Sequence, residues 1–467
     1  MVDDRIQIKT LCWLAVLAGI IRLSFIFRPI GYDEALSFLV FGCKPLKESL
    51  TNYVIPNNHL FHTFLVHMVT AVLPPYPWII RLPAFIAGVV MVPCSYFVFE
   101  LLYSPQIALL ASGMITASSI LVEYSVSARG YTLMIVCFLL SLGAMLKVMR
   151  DDRFKWWFLF VISSVLGFYT MPVMIYPFGF TLLLIPLVFK TRINKKFVNK
   201  FLLAILIISL VVFILYLPVV CKTGINRLVE IPTFRPIPLS EIGQRMNILF
   251  LKIYAMWNRD LFLPLEIIFI ISFFISLFKG RFREKNRTIL LSATVATVGL
   301  ILLTRMVPFP RCFLFLLPMY LGMISSGLHE IISFRRRGVM YFLNGLVILF
   351  MCLGIGVKKG IYHSDVEGRL KAPEGIIYVL RKILRPGDKV LAYYPVDAIV
   401  SYYFFLYRLP YTYLDVNFQQ AKRIFAVLQN GQDLDYLLGK FTISKTAGDF
   451  REILNLGEVQ IYLAYLE

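Results

Sequence analysis

Two adjacent carboxylates, Asp33 and Glu34, stand in the segment Gly31-Tyr32-Asp33-Glu34, just beyond the first apolar run of the chain. Acids close to hydrocarbon are costly to keep ionised and tend to be functional, and a carboxylate pair can move protons or bind a metal. The same pair can also cap and charge the first turn of a helix through Ala35 and Leu36. His59 and His62, three apart, can share one helical face as metal ligands beside a carboxylate, or serve only as hydrogen-bonding interfacial residues. Glu123 precedes Arg129 by six residues. It can pair with that Arg, form a second acidic site, or be a solvated loop charge. Arg81, Arg129 and Arg311 each lie at the end of an apolar segment, where a guanidinium can meet a phosphate or merely snorkel to the interface.

Those residues are set in a membrane protein. Hydrophobic residues make up 59% of the chain and charged ones 16%, with a mean hydropathy of +0.76, which is the composition of a polytopic α-helical membrane protein. The formal charge of +20 does not indicate nucleic acid. Its Lys and Arg residues gather in short loops between apolar segments, where they orient helices and meet anionic lipid. The run Leu11 to Phe27 lacks a small-residue cleavage site and reads as a retained transmembrane helix.

Spans are expected near 11–27, 79–102, 107–122, 130–149, 156–170, 172–189, 201–219, 262–278, 288–304, 311–329 and 339–357, eleven in all. The stretch 59–73 is too short to cross and begins polar, so it reads as a juxtamembrane helix lying along the outer face and closed by Pro74 and Pro75. Basic clusters at Arg150/Arg153/Lys155, Lys190/Arg192/Lys195/Lys196/Lys200, Lys279/Arg281/Arg283/Lys285/Arg287 and Arg335/Arg336/Arg337 follow alternate spans. By the positive-inside rule they are cytoplasmic, which places the first loop (28–78) and Asp33-Glu34 outside.

Residues 1–357 therefore read as a membrane domain and 358–467 as a small extracytoplasmic α/β domain, with a strand near Lys389–Tyr394 and a helix from Asp397 to Tyr407. Another outer connection, 220–261, reads as a long loop carrying Arg227, Glu230, Arg235, Lys252, Trp257 and Arg259. Cys43 and Cys221 fall in predicted loops on one side, which allows a disulfide between them; the other cysteines lie in apolar runs.

Taken in order, Gly31-Tyr32-Asp33-Glu34, Asn57-Asn58-His59, Arg81-Leu82-Pro83, Ala128-Arg129-Gly130-Tyr131 and, later, Phe309-Pro310-Arg311 with Pro318 resemble the protein O-mannosyltransferase and aminoarabinose transferase branch of the GT-C glycosyltransferases. One position departs: Leu60 stands where family members commonly have Pro. The resemblance implies an integral-membrane transferase of the cell envelope that moves a hexosyl or pentosyl group from a polyprenyl-phosphate donor to a lipid, glycan or protein acceptor on the extracytoplasmic face. It implies Asp33 as general base with Glu34 beside it, and Arg129, Arg311 and Tyr131 at the donor phosphate. Asn58, His59, Arg81 and Glu123 become candidate substrate contacts, and a divalent metal on His59 and His62 is an alternative.

Two other classes share this composition. A lipid or sugar transporter should place charges or helix breaks near the midplane and often carries an internal repeat, whereas here the suggestive charges gather at one surface and no repeat is evident. An envelope oligosaccharide polymerase or ligase would share lipid-linked donors and outer-face chemistry, but the Asp-Glu and Ala-Arg-Gly-Tyr segments favour a monosaccharide transferase.

Overall fold

The computed structural model describes residues 2–189, 193–224, 236–332, 337–362, 370, 373–415, 421–441, 443, 445–457 and 459–466. The helices, in chain order, are α1 (Val2–Ile26), α2 (Tyr32–Ser37), α3 (Leu46–Thr51), α4 (Leu60–Thr70), α5 (Pro77–Ile80), α6 (Leu82–Leu102), α7 (Pro105–Ala117), α8 (Ser119–Ser125), α9 (Tyr131–Val148), α10 (Phe154–Thr170), α11 (Ile175–Val188) and α12 (Lys195–Thr223). They continue with α13 (Leu239–Asn258), α14 (Leu263–Phe278), α15 (Arg283–Thr304), α16 (Leu316–Ile332), α17 (Arg337–Lys358), α18 (Pro373–Ile383), α19 (Asp397–Leu406) and α20 (Leu434–Lys440).

Six of these helices are long and apolar enough to cross a membrane, and the bent pair α7 and α8 makes a seventh. Shorter apolar helices over Phe154–Thr170, Pro172–Val188, Leu263–Phe278 and Leu316–Ile332 account for the rest, so each of the eleven expected segments has a helical counterpart. At 1.5 Å per residue α4 is about 16 Å long, well short of the ~30 Å hydrocarbon layer.

Two expectations fail. The connection 220–261 contains a helix, α13, whose apolar face buries Ile242, Leu249 and Ile253 while Glu241 and Arg245 make an exposed pair at 2.9 Å. Its polar face had hidden the 3.6-residue period. Arg227, Glu230 and Arg235 lie outside the described residues. The disulfide does not form either: Cys221 lies within α12, and Cys43 and Cys221 are both free thiols.

The chain divides into two compact units, one comprising Met1–Ile26, Leu50–Val66 and Arg81–His363, the other Phe27–Ser49, His67–Ile80 and Ser364–Glu467. In the larger unit α6 packs on α1, α7 and α9, and α9 packs on α10. Small polar residues cross these helix interfaces, with Ser95 Oγ 3.3 Å from Ser112 Oγ and Ser141 Oγ 2.9 Å from Ser164 Oγ, as is common where helices approach closely without an aqueous driving force. The α7–α8 pair bends by 62° at Ser118, whose backbone is extended (φ −68°, ψ 114°).

The smaller unit carries a four-stranded sheet in the order β1-β2-β4-β3, from β1 (Asp388–Leu391), β2 (Arg423–Gln429), β3 (Arg451–Asn455) and β4 (Val459–Tyr465). β1 runs parallel to β2, with Asp388 opposite Arg423, and the other pairs are antiparallel. Strand β2 is buried on both faces, from Ile424 through Leu428, with Ile424, Ala426 and Leu428 in one cluster with Leu437 and Ala464, as a near-continuous apolar strand between two covered faces requires. Helix α2 packs on α19 in this unit, with Phe38 edge-on to Tyr402 and Phe405, both at 5.6 Å between ring centroids.

Candidate active site

In the smaller unit, Glu34 is fully buried and its Oε2 accepts the Gly31 amide at 2.8 Å. That bond satisfies one of the donors left open at a helix start, so the capping reading of the acidic pair holds for Glu34. Asp33, next to it, is half-buried. Tyr32 stacks edge-on against Tyr394 at 4.8 Å. Burial, followed by the charges of Asp397, Tyr394 and Asp33, pushes its phenol up to about 12, so Tyr32 stays a hydrogen-bond donor at neutral pH. Burial also raises the Asp397 carboxyl above its ordinary range.

The larger unit assembles a cationic cluster from three stretches of sequence. Gly130 donates its amide to His59 Nδ1 at 2.7 Å. An Nδ1 that accepts is unprotonated, so the neutral ring carries its proton on Nε2. Burial above all, and then the neighbouring charges of Arg129, His62 and Arg311, hold the His59 imidazole well below its usual range, in agreement with that tautomer. Arg129 is 2% exposed; its Nη2 donates a long 3.4 Å bond to Asn57 Oδ1, and its guanidinium lies 5.7 Å from the Tyr131 ring centroid. Tyr131 also meets His59 and Tyr124 edge-on, each at 5.2 Å. Arg311 enters from a 3-10 turn (Pro310–Phe313) with its guanidinium 4.7 Å from the Phe309 ring centroid.

The close approach explains Gly130: a Cβ there would stand 2.7 Å from Thr170 Cγ2 and 2.9 Å from His59 Cβ. The in-plane lone pair of His59 in this tautomer, on Nδ1, is taken by the Gly130 amide, and the described residues contain no group of three or more His, Cys, Asp or Glu placed to hold an ion.

Three other candidates make local structural bonds. Arg81 Nη1 donates to the Ile26 carbonyl at 2.7 Å, capping the end of α1. Asn58 donates to the Asn52 carbonyl at 2.7 Å and accepts from Thr63 Oγ1 at 2.8 Å, which secures the start of α4. Glu123 is ion-paired with Arg259 at 2.6 Å. Sequence reasoning had overlooked Arg22, fully buried in α1, whose Nη1 donates to the carbonyls of Ala18 and Thr116, each at 3.2 Å. An arginine in the middle of an apolar run was the available signal.

This arrangement of helices with a small terminal sheet is an ArnT-like fold. Over its whole length, and over 100% of the other chain, the protein is similar to ArnT from Cupriavidus metallidurans in the apo state, with a TM-score of 0.64 at 12% identity. The undecaprenyl-phosphate-bound form of ArnT gives 0.62 at 13% identity, covering 98% of this chain and 99% of that one. The archaeal oligosaccharyltransferase AglB from Archaeoglobus fulgidus, in complex with an inhibitory peptide and a dolichol-phosphate, gives 0.53 at 10% identity, over 91% of this chain and 69% of that one. Residues 57–219 match the family model described as dolichyl-phosphate-mannose-protein mannosyltransferase. That stretch contains Asn57, His59, Arg129 and Tyr131. No curated protein sequence matches the chain.

Proposed function

We propose that this protein is an integral-membrane glycosyltransferase of the bacterial cell membrane that moves a sugar from a polyprenyl-phosphate carrier to an acceptor hydroxyl on the extracytoplasmic face. The observation that carries this reading is the buried Arg129, held between Asn57 and the His59-anchored Gly130 inside the stretch that matches a lipid-phosphate-sugar-dependent family. A neutral His59 leaves the cationic charge of the cluster to the arginines, and guanidinium groups pair well with phosphate oxygens.

The reaction is a single inverting displacement. The acceptor oxygen bonds to the anomeric carbon as the bond from that carbon to the phosphate oxygen breaks. Asp33 takes the acceptor proton, and the bonding pair leaves with the lipid phosphate, whose charge Arg129 and Arg311 stabilise. Glu34, buried on the Gly31 amide, acts by fixing the backbone that presents Asp33. Tyr131 supports Arg129 with its ring, whose centroid is 5.7 Å from the guanidinium. The likeness to ArnT bound to undecaprenyl phosphate supports a polyprenyl-phosphate donor.

The test uses purified protein in lipid nanodiscs with polyprenyl-phosphate sugars as donors and cell-envelope lipids, glycans and proteins as acceptors. Transfer to one of them is expected, and Asp33→Asn should lower turnover by about 10²–10⁴-fold while the protein remains folded. Full activity in that variant would remove Asp33 as base.

A further inference from the structure

A second group of buried charges lies in the larger unit. The side chains of Glu123 and Asp260 are each 2% exposed, and Arg259 stands between them at 23%. Arg259 Nη2 donates to Glu123 Oε2 at 2.6 Å, and its Nε is 3.8 Å from Asp260 Oδ2. Asp260 also accepts from Ser119 Oγ and, at 3.0 Å, from the Gly360 amide. Three stretches far apart in sequence are thereby tied together: helix α8, the turn after α13, and the strap that follows α17. Charges taken out of water persist only where their partners are well placed.

What this network holds is α8. That helix has seven residues, too few to be stable alone, and it follows a 62° break. Before the break, Arg22 Nη1 donates to the Thr116 carbonyl at 3.2 Å, and also to the Ala18 carbonyl of its own helix. After it, Asp260 takes Ser119 and Arg259 takes Glu123. From the end of α8 the buried stretch Val126–Gly130 leads directly to Arg129 and to the His59 bond at Gly130.

We infer that Arg259 and Asp260 are positioning residues: by fixing α8 they set where the Arg129 guanidinium stands. This rests on the reading of Arg129 as a ligand for the donor phosphate, and the two residues act through the helix. Gly360 offers a mild probe, because a Cβ there would meet Asp260 Oδ1 at 2.3 Å and Arg259 Nε at 2.7 Å, wedging the pair without removing a charge.

The experiment measures undecaprenyl phosphate affinity and amide hydrogen exchange over residues 118–130 in the full-length protein in nanodiscs. Glu123→Gln and Arg259→Gln should each weaken binding about tenfold, with the double variant no weaker than the worse single one, the signature of a coupled pair. Gly360→Ala should act in the same direction, Arg259→Lys should recover part of the loss, and exchange over 118–130 should quicken in proportion. Folded variants with wild-type affinity and wild-type exchange would overturn the inference, and if Arg259→Gln does not fold, Gly360→Ala decides. If the wild type itself fails to bind undecaprenyl phosphate, the reading of Arg129 falls, and unchanged exchange in Gly360→Ala would then overturn the positioning role separately.

Discussion

The two units surround their candidate site charges differently. In the larger one, Arg129 is almost completely buried and is set among Asn57, Tyr131 and a neutral His59. In the smaller one, Glu34 is buried on a backbone amide while Asp33, its neighbour, remains half-buried. A group that binds a phosphate gains from being fixed in advance in a dry surround, whereas a group that accepts a proton must be reachable by its substrate. Arg129, the proposed phosphate ligand, is held by packing of segments distant in sequence, whereas Asp33, the proposed base, is presented by one short helix.

The sharpest way to break this division is to compare Asp33→Asn with Arg129→Met in one preparation. The first should lose turnover by about 10²–10⁴-fold with undecaprenyl phosphate affinity unchanged. The second should lose affinity as well, because a buried charge-assisted partner is gone. Equal losses of affinity in both variants would erase the distinction.

Next in size is the fork in the smaller unit's sheet. Arg423 donates from Nε to Asp388 Oδ1 at 3.0 Å and from Nη2 to Oδ2 at 2.7 Å, with Asp388 2% exposed. Removing one partner of such a buried pair costs about 3–5 kcal/mol, so Asp388→Asn should make residues 373–466 sensitive to limited proteolysis while leaving undecaprenyl phosphate binding intact. Undiminished protease resistance would show that the fork contributes little to this unit.

A smaller effect is expected at Gly130. The Ala methyl would press on Thr170 and His59, an overpacking that costs about 1–3 kcal/mol, and it should lower both the thermal midpoint and the lipid-phosphate affinity. A Gly130→Ala protein with wild-type affinity would mean that the Arg129 backbone tolerates displacement.

The smallest expected effect is a pH dependence from His59. Its folded-state value lies well below the ordinary 6.5, so the unfolded chain takes up a proton that the folded one refuses as pH drops below about 6.5. The stability associated with the neutral ring is complete above that pH and is lost as pH falls toward the folded-state value, with a slope of at most about 1.4 kcal/mol per pH unit. Thermal midpoints measured from pH 7.5 to 5 should therefore fall more steeply in the wild type than in His59→Asn. Parallel curves would show that His59 does not resist protonation in the fold.

Much of this protein was legible from its residues. Apolar runs marked a helix at each of the eleven expected positions, six of them, or seven with the bent pair, long and apolar enough to cross a membrane, because a run of hydrocarbon side chains reports a low-dielectric surround without reference to any partner. The order of the Asp-Glu, Asn-Asn-His and Ala-Arg-Gly-Tyr segments was equally readable, being local in sequence. Helix α13 escaped because its polar face breaks the apolar run, and its period is visible only once its buried residues are known.

Pairing was decided by tertiary structure alone. Glu123 stands six residues from Arg129, yet it bonds to Arg259, which is far away along the chain; Arg81 turned out to cap α1; and His59 takes its tautomer from an amide 71 positions on. Sequence determined which charges exist and near which ends of the apolar segments they lie. Only the packing of helices could decide which charges meet, because the cost of an unpaired buried charge is settled by whichever partner the fold brings within a few ångströms.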